Sequence, residues 1–227
     1  MKTSNIIIIA FAILIVGGML FLFIDSKEHK KKVENNISFK EFPLPAFSVV
    51  VAEKGSDLHI DRSDSTIVKV EYFKDKKMPS KIYEVVNDTL HIYGGLRMFV
   101  KCKNLTSFIG NKPFWVGVDN FNPDSMTIKM NGGELYLTYD KHKGSKKFVN
   151  MGIFANDSAI VHINDIPLRN LTVKSNNAKV SIYCYAKYST ITLANHAELN
   201  GLININNIAV QKDSTCQLTL DKLHVEQ

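Results

Sequence analysis

Apolar residues recur at every second position through most of the chain after Phe47, and this pattern constrains the fold more than any other feature. It appears, among other places, at Leu58/Ile60, Leu90/Ile92 and Val161/Ile163. Residues two apart in a strand share one face, so each such pair places two apolar groups on a common core. No window of a dozen residues after Val33 keeps the spacing of an amphipathic helix. The sequence therefore predicts an all-β body.

Short repeats in the second half predict how the strands are arranged. A three-residue pattern of apolar, Thr and apolar residues occurs at Leu171–Val173, Ile191–Leu193 and Leu218–Leu220. The breaks between the predicted strands hold turns that contain Asn or Gly, near 131–133, 175–177, 200–201 and 206–207. Short strands about ten residues apart without long loops are typical of a solenoid. A β-sandwich with similar strand spacing is the alternative. We expect a right-handed β-helix-like β-solenoid over residues 47–227, with Thr172, Thr192 and Thr219 pointing outward.

The chain begins with an apolar run that predicts a membrane anchor. Residues Ile6 to Ile24 carry no charge, and as a helix the run would approach the thickness of the bilayer hydrocarbon core. It is longer than the apolar core of a cleaved signal peptide and lacks a small-residue cleavage site. We therefore expect a single transmembrane signal anchor over residues 1–25, bilayer contact through residues 6–24, and a tether over residues 26–46. A buried core helix and a cleaved signal peptide are the alternatives.

The orientation of such an anchor follows from two opposing arguments. Four lysines follow the run, namely Lys27, Lys30, Lys31 and Lys32, and this excess would retain the body in the cytoplasm. A short basic leader before a long apolar run is, however, typical of exported chains, and large domains cross largely regardless of charge. We expect a cell-membrane protein whose body is periplasmic or otherwise extracytoplasmic.

The net charge of +6 raises the question of nucleic-acid binding. Five basic and two acidic residues lie in the first 32 residues, so half of the net charge belongs to that segment. The chain contains only three arginines, Arg62, Arg97 and Arg169, whereas arginine forks are the usual means of reading bases and phosphates. We expect no nucleic-acid partner.

Several of the strand patterns resemble a known family. The segments FSVVV from Phe47, DLHID from Asp57, VKV from Val68 and DTLHI from Asp88 resemble the opening of "putative auto-transporter adhesin, head GIN domain" proteins of Bacteroides-type bacteria. The likeness extends over Phe47–Leu220, with a departure at Gly94–Pro123, where aromatic residues interrupt the pattern. It implies an envelope-exposed β-solenoid and brings no catalytic residues.

Five Asp-Ser or Asp-Thr pairs resemble the O-glycosylation signal of the same bacteria. Their hydroxyl residues are Ser65, Thr89, Ser125, Ser158 and Ser214. Asp-Ser pairs also favour turns between strands, so turn chemistry is the alternative explanation. We treat all five as candidate modification sites.

Signals for catalysis or metal binding are weak in the sequence. The nearest acid pairs, Asp61/Asp64 and Asp119/Asp124, have the positions of turn residues. Four histidines lie between inward apolar residues and should point outward; His59 and His91 would approach each other only if their strands pair. Cys102, Cys184 and Cys216 are isolated and are interpreted as small buried side chains. The sequence predicts no catalytic residues, no cofactor and no metal.

Two segments are candidates for contact with a partner. The run 141–147 includes Lys143, Lys146 and Lys147 and is either a solvated hairpin tip or a contact for anionic glycans or lipid headgroups. Phe114 and Trp115 either close the end of the body as an apolar plug, which we favour, or stack on a sugar or partner.

Together these features predict a membrane-anchored, envelope-exposed, non-enzymatic interaction module of the adhesin type. Its partners would be envelope proteins or glycans. The alternatives are a β-helix enzyme acting on polysaccharide, with a site near Trp115 and residues 119–124, and a sensory partner of an envelope regulator.

Overall fold

The computed structural model describes residues 14–27, 36–121, 123–139 and 149–221. The chain divides into two compact units, one formed by Met1–Phe39 with Glu71–Met78 and the other by Lys40–Val70 with Pro79–Gln227. A helix, α1, covers residues 14–27. The strands are β1 Ile37–Pro43, β2 Val49–Ala52, β3 Asp57–Arg62, β4 Ile67–Phe73, β5 Tyr83–Val86, β6 Thr89–Ile92, β7 Arg97–Cys102, β8 Ser107–Asn111, β9 Trp115–Asp119, β10 Ser125–Asn131, β11 Glu134–Thr138, β12 Val149–Asn156, β13 Ile160–Asn164, β14 Leu168–Asn176, β15 Lys179–Ala194, β16 Glu198–Lys212 and β17 Gln217–Asp221.

Two parallel ladders make up most of the larger unit. One contains β6, β2, β8, β10, β12 and β14 as successive neighbours, and the other contains β7, β3, β9, β11 and β13. The long strands β15 and β16 contribute their first halves to the second ladder and their second halves to the first. Strand β17 then pairs with the first part of β16. The structure thus confirms the predicted all-β body.

The core follows directly from the alternation. In the second ladder the inward residues of paired strands lie in register, so that Leu58 is opposite Met98 and Val116, and Leu135 is opposite Val116 and Val161. All five are completely buried. Burial of these apolar side chains stabilises the folded state by about 25 cal/mol for each Å² of apolar surface removed from water.

Polar turns stabilise the ends of the strands. Asn131 donates its side-chain amide to Asn111, and Asn156 donates to Asn131, with 3.3 Å between the nitrogen and oxygen atoms in each case. Gly132 and Gly133 have φ values of 74° and 81°, and Asn177 has a φ of 50°, as predicted for left-handed turns in these segments. Residues 200–201 and 206–207, predicted as turns, instead lie inside β16.

The predicted transmembrane helix is wrong. Among the described residues, no helix combines the length and apolar composition that a membrane crossing requires. Residues 6–13 of the predicted run lie outside the described residues. The predicted tether, residues 26–46, contains the end of α1 and strand β1.

The predicted β-solenoid is also wrong as a fold class. The described strands form one hydrogen-bonded sheet of 17 strands, which mixes the parallel ladders with the antiparallel pairs β4–β7 and β5–β6. The repeated tripeptides do not pair in matched register, because Leu171 lies opposite Ser189, Val173 opposite Ile191 and Leu218 opposite Leu199. Alternation identifies the buried face of a strand but leaves its partner undetermined.

Candidate functional site

Five aromatic side chains lie side by side on the outward face of the second ladder. Four of them, Phe99, His59, Tyr136 and His162, lie in one register row on strands β7, β3, β11 and β13. Gly117 of β9 occupies the remaining position of that row, between His59 and Tyr136. Neighbouring strands are about 4.8 Å apart, so outward rings on adjacent strands contact one another. The row is interrupted only at Gly117, which has no side chain.

The side chain of Trp115 fills the gap that Gly117 leaves. A Cβ atom on Gly117 would lie 2.5 Å from Cη2 of Trp115 and 3.0 Å from Nδ1 of His59. The indole is parallel to the His59 ring, with 2° between the planes and 6.2 Å between the centroids. Tyr136 follows at 6.1 Å. Gly117 therefore provides the space in which the indole packs.

The two ends of the row are also in contact. The Phe99 and His59 centroids are 6.1 Å apart with tilted planes, and those of Tyr136 and His162 are 4.5 Å apart and stacked. We call Phe99, His59, Trp115, Tyr136 and His162 the aromatic row. All five side chains are half-buried, so the row presents ring edges and faces to solvent while its inner sides pack on the sheet.

Carboxylates line both sides of the aromatic row. Tyr136 donates its hydroxyl to Glu134 over 2.5 Å, and this hydrogen bond raises the pKa of Tyr136 above its ordinary value. Arg97 donates its Nε to Asp57 over 2.9 Å. On the other side, Asp61 and Asp119 occupy the next outward row of the register. Carboxylate groups, which accept hydrogen bonds, therefore border the ring surfaces on both sides.

His59 brings the two carboxylates of that next row together. Its Nε2 lies 3.4 Å from Oδ2 of Asp61 and 3.3 Å from Oδ2 of Asp119. Asp119 accepts a hydrogen bond from the hydroxyl of Thr138 through its other oxygen, Oδ1. The three ligand-type atoms all lie within 4.8 Å of one another. We call His59, Asp61 and Asp119 the His59 cluster.

An open cavity lies beside the row, at the end formed by Phe99. It has a volume of about 450 Å³ and is lined by Asp57, His59, Arg97, Phe99, Phe114 and Trp115. Phe114 is 73% exposed at its edge. Phe114 and Trp115 therefore do not form the apolar plug that we favoured from the sequence. They lie on an accessible surface, since Trp115 is at a position of β9 whose side chain points outward.

The other predicted contact and modification sites are scattered. Lys143, Lys146 and Lys147 lie outside the described residues. Ser65, Ser125, Ser158 and Ser214 are exposed in turns or at a strand start, and Thr89 is half-buried at the start of β6. Asp88, Asp157 and Ser158 have positive φ values, so turn chemistry accounts for part of this pattern. Modification of any of the five remains a prediction.

The cysteines and three of the four predicted outward histidines occupy the environments predicted for them. His59, His91 and His162 point outward, and His224 lies outside the described residues. Strand β3, which carries His59, pairs with β7 and β9, whereas His91 lies on β6 beside β2. Cys102, Cys184 and Cys216 are buried free thiols. Burial raises the pKa of the Cys102 and Cys184 thiols to about 12, which makes them poor nucleophiles and poor metal ligands.

Sequence reasoning missed the centre of this surface. It named Trp115 and Phe114 as contacts, His59 as an outward strand residue, and Asp61 and Asp119 as turn residues, whereas both acids lie in strands. It did not name Phe99 or Tyr136, and it did not bring these residues together. The alternation of side chains along a strand is enough to place Asp61 on the same face as His59, because they are separated by one residue. The contribution of Asp119 and Tyr136 depends on which strands neighbour β3 and β9, and that information is not in the local pattern.

The geometry argues against the polysaccharide-cleaving alternative. Glycosidases place two carboxyl groups on opposite sides of the scissile bond and bury the acid to raise its pKa. Asp61 and Asp119 lie on one open face, converge on the same imidazole nitrogen, and are 39% and 23% exposed. Asp124 lies in an exposed turn before β10. Asp61 and Asp119 therefore do not have the opposed arrangement that a glycosidase pair requires.

Comparison with known proteins shows a shared fold. No family profile matches the sequence, and no curated protein is significantly similar to it; the head GIN resemblance is therefore not confirmed at family level. A "putative lipid binding protein" from Parabacteroides distasonis superimposes with a TM-score of 0.54 and 14% identity, over 83% of this chain and 97% of that one. A "putative adhesin" from Bacteroides fragilis gives a TM-score of 0.49 and 11% identity, over 82% and 97%.

Proposed function

We propose that this chain is a non-catalytic binding protein of the bacterial envelope that recognises neutral glycans through the aromatic row. The observation that carries the proposal is the ordered alignment of Trp115 between His59 and Tyr136 in the gap above Gly117. Sugar rings have apolar C–H faces that pack on aromatic rings, and a rigid row offers several such contacts at little entropic cost.

The flanking carboxylates support a hydroxyl-rich ligand. Ionised carboxylates accept hydrogen bonds and donate none, so Asp57, Asp119 and Glu134 suit the hydroxyl groups of a glycan. The same charges repel phosphates, which argues against a nucleic acid stacking on the rings even though aromatic rows serve that purpose elsewhere. The open, elongated surface suits a chain of sugar units better than an enclosed small molecule.

The assignment to the envelope rests on the sequence resemblance described above. That resemblance implies exposure outside the cytoplasm. We propose an extracytoplasmic location on these grounds. Alkaline phosphatase fused after Gln227 should be active, whereas an inactive fusion with intact expression would contradict export.

The glycan proposal is tested by isothermal titration with cellohexaose, mannohexaose and soluble fragments of bacterial envelope polysaccharide. We expect at least one to bind and Trp115→Ala to weaken that binding about tenfold, which corresponds to roughly 1.4 kcal/mol, within the range for one stacking contact. Tyr188→Ala is the matched control, because Tyr188 is an exposed aromatic outside the row. Equal affinities of the Trp115→Ala variant and the unaltered protein would contradict the proposal.

Lipid binding is the second candidate function. It is favoured by the printed name of the Parabacteroides distasonis protein and by the exposed Phe114 at the edge of the cavity. Co-sedimentation with phosphatidylethanolamine–phosphatidylglycerol vesicles, lost on Phe114→Ser substitution, would favour it over the glycan proposal.

A further inference from the structure

We propose that the His59 cluster binds one zinc ion, which does not require a bound glycan although the cluster shares His59 and Asp119 with the proposed glycan surface. The ligands would be Nε2 of His59 and one carboxylate oxygen each of Asp61 and Asp119. An imidazole nitrogen with two carboxylate oxygens is a ligand set that Zn²⁺ accepts, with a water molecule in the fourth position.

The distances within the cluster favour a metal over a hydrogen bond. A charge-assisted N–H···O bond has a nitrogen–oxygen distance of about 2.7–2.9 Å, whereas those from His59 are 3.3 and 3.4 Å. One Nε2 proton also cannot point at both carboxylates. Metal–ligand bonds of about 2.0–2.1 Å in a tetrahedron place neighbouring ligand atoms about 3.4 Å apart, close to both observed separations.

The backbone brings the three ligands to one place. His59 and Asp61 are two residues apart on β3, so they share the outward face. Asp119 lies directly opposite Asp61 on the parallel strand β9. The site thus rests on two central strands, which position ligands more accurately than loops.

Contacts around the cluster fix the ligand orientations. The ring of His59 lies between Phe99 and Trp115, and its Nδ1 faces the space above Gly117, 3.0 Å from where a Cβ of that residue would lie. This leaves Nε2 directed at the carboxylates. Thr138 holds Asp119 through Oδ1 and leaves Oδ2 for a metal. Such supporting contacts commonly contribute ten- to hundredfold to metal affinity.

Charge and ligand number favour zinc over the hard cations. An imidazole and two carboxylates bound to a metal together carry two negative charges, which a divalent cation balances. Calcium prefers six to eight oxygen ligands and magnesium an octahedron of oxygens, whereas three protein ligands that include an imidazole suit zinc. Lys101 is the nearest basic residue in the register, opposite Asp61 on β7, and its ammonium group would compete weakly for that carboxylate.

The experiment uses the full chain, stripped with chelator and titrated with Zn²⁺ by calorimetry without any sugar. The single tryptophan gives a second readout, since Trp115 stacks on His59 and paramagnetic Co²⁺ bound there would quench its fluorescence. We expect saturation at one zinc per chain and quenching by Co²⁺ that Zn²⁺ reverses.

Substitutions distinguish this site from incidental binding elsewhere. His59→Gln, Asp61→Asn and Asp119→Asn should each weaken zinc binding at least tenfold, and Thr138→Val should weaken it to a smaller extent. Asp75→Asn is the matched control, because Asp75 lies in an exposed turn. Circular dichroism identifies variants that fold, and the exposed position of Asp61 makes its variant the most tolerant of the three.

Two results would overturn the proposal. One is unchanged zinc affinity in the folded Asp61→Asn or Asp119→Asn variant, and the other is zinc binding that leaves Trp115 unquenched by Co²⁺. Because no sugar is present, either result would leave the glycan proposal intact.

Discussion

Substitution of Gly117 by alanine removes the space that holds Trp115 while leaving all five rings in the sequence. The new methyl group would lie 2.5 Å from Cη2 of the indole, well inside van der Waals contact, so the ring must move away. Loss of the aromatic contacts costs about 0.5–1.5 kcal/mol. Replacing glycine by alanine recovers about 0.4–1 kcal/mol by restricting the unfolded chain. The two terms nearly cancel, so the free energy of unfolding should change by less than about 1 kcal/mol.

The assay for Gly117→Ala combines urea unfolding with tryptophan emission. Because the chain has one tryptophan, its emission maximum reports this site alone, and we expect a shift to longer wavelength as the indole becomes more exposed. Gly152→Ala is the matched control, since a Cβ there would lie 3.2 Å from the Phe154 ring and away from Trp115. An unshifted emission maximum in Gly117→Ala would refute the reasoning about the aromatic row.

Three further predictions concern stability and reactivity. Phe108→Ala should lower the free energy of unfolding in urea by about 3–5 kcal/mol, because Phe108 is fully buried; a loss below 1 kcal/mol would contradict the assigned core. Cys102 and Cys184, whose thiol pKa values are raised to about 12, should resist a disulfide reagent at pH 8 until urea is added, and rapid native labelling would contradict their burial. Asp213 accepts hydrogen bonds from Thr215 and Asn195, and these lower its pKa. Its contribution to the free energy of unfolding is therefore fully present above the ordinary carboxyl pKa. That contribution is lost as the pH falls towards the pKa of the folded state. Asp213→Asn should therefore destabilise at pH 7 and make progressively less difference in melting experiments below about pH 4; a difference independent of pH would contradict this.

The buried face of many strands could be predicted from the sequence. Leu58, Leu135 and Val161 are completely buried, as their alternation required, and Thr172 and Thr192 point outward. Alternation is a local property of extended backbone, so a single strand reveals it.

The arrangement of the strands could not be predicted with the same success. The repeated tripeptides suggested coils in matched register, yet Leu171 lies opposite Ser189. Pairing depends on turn geometry and on long-range packing, neither of which a short repeat records. The apolar run at the chain start was taken for a membrane span from its composition, whereas the described residues contain no helix long and apolar enough to cross a membrane.

The site was predictable only in its single-strand part. Trp115 and Phe114 stood out by composition, and the outward position of His59 followed from its neighbours Leu58 and Ile60. Asp119 and Tyr136 join them through the pairings β3–β9 and β9–β11. The candidate surface therefore arises between strands, where sequence patterns carry the least information.

The central claim is that ligands contact the chain at Trp115 in the aromatic row, and nuclear magnetic resonance tests it most directly. The single indole N–H gives one isolated ¹H–¹⁵N resonance, which can be followed while a bound oligosaccharide is titrated. We predict that this resonance moves progressively and saturates together with the binding isotherm. An indole resonance that stays fixed while other amides respond to the ligand would contradict the claim.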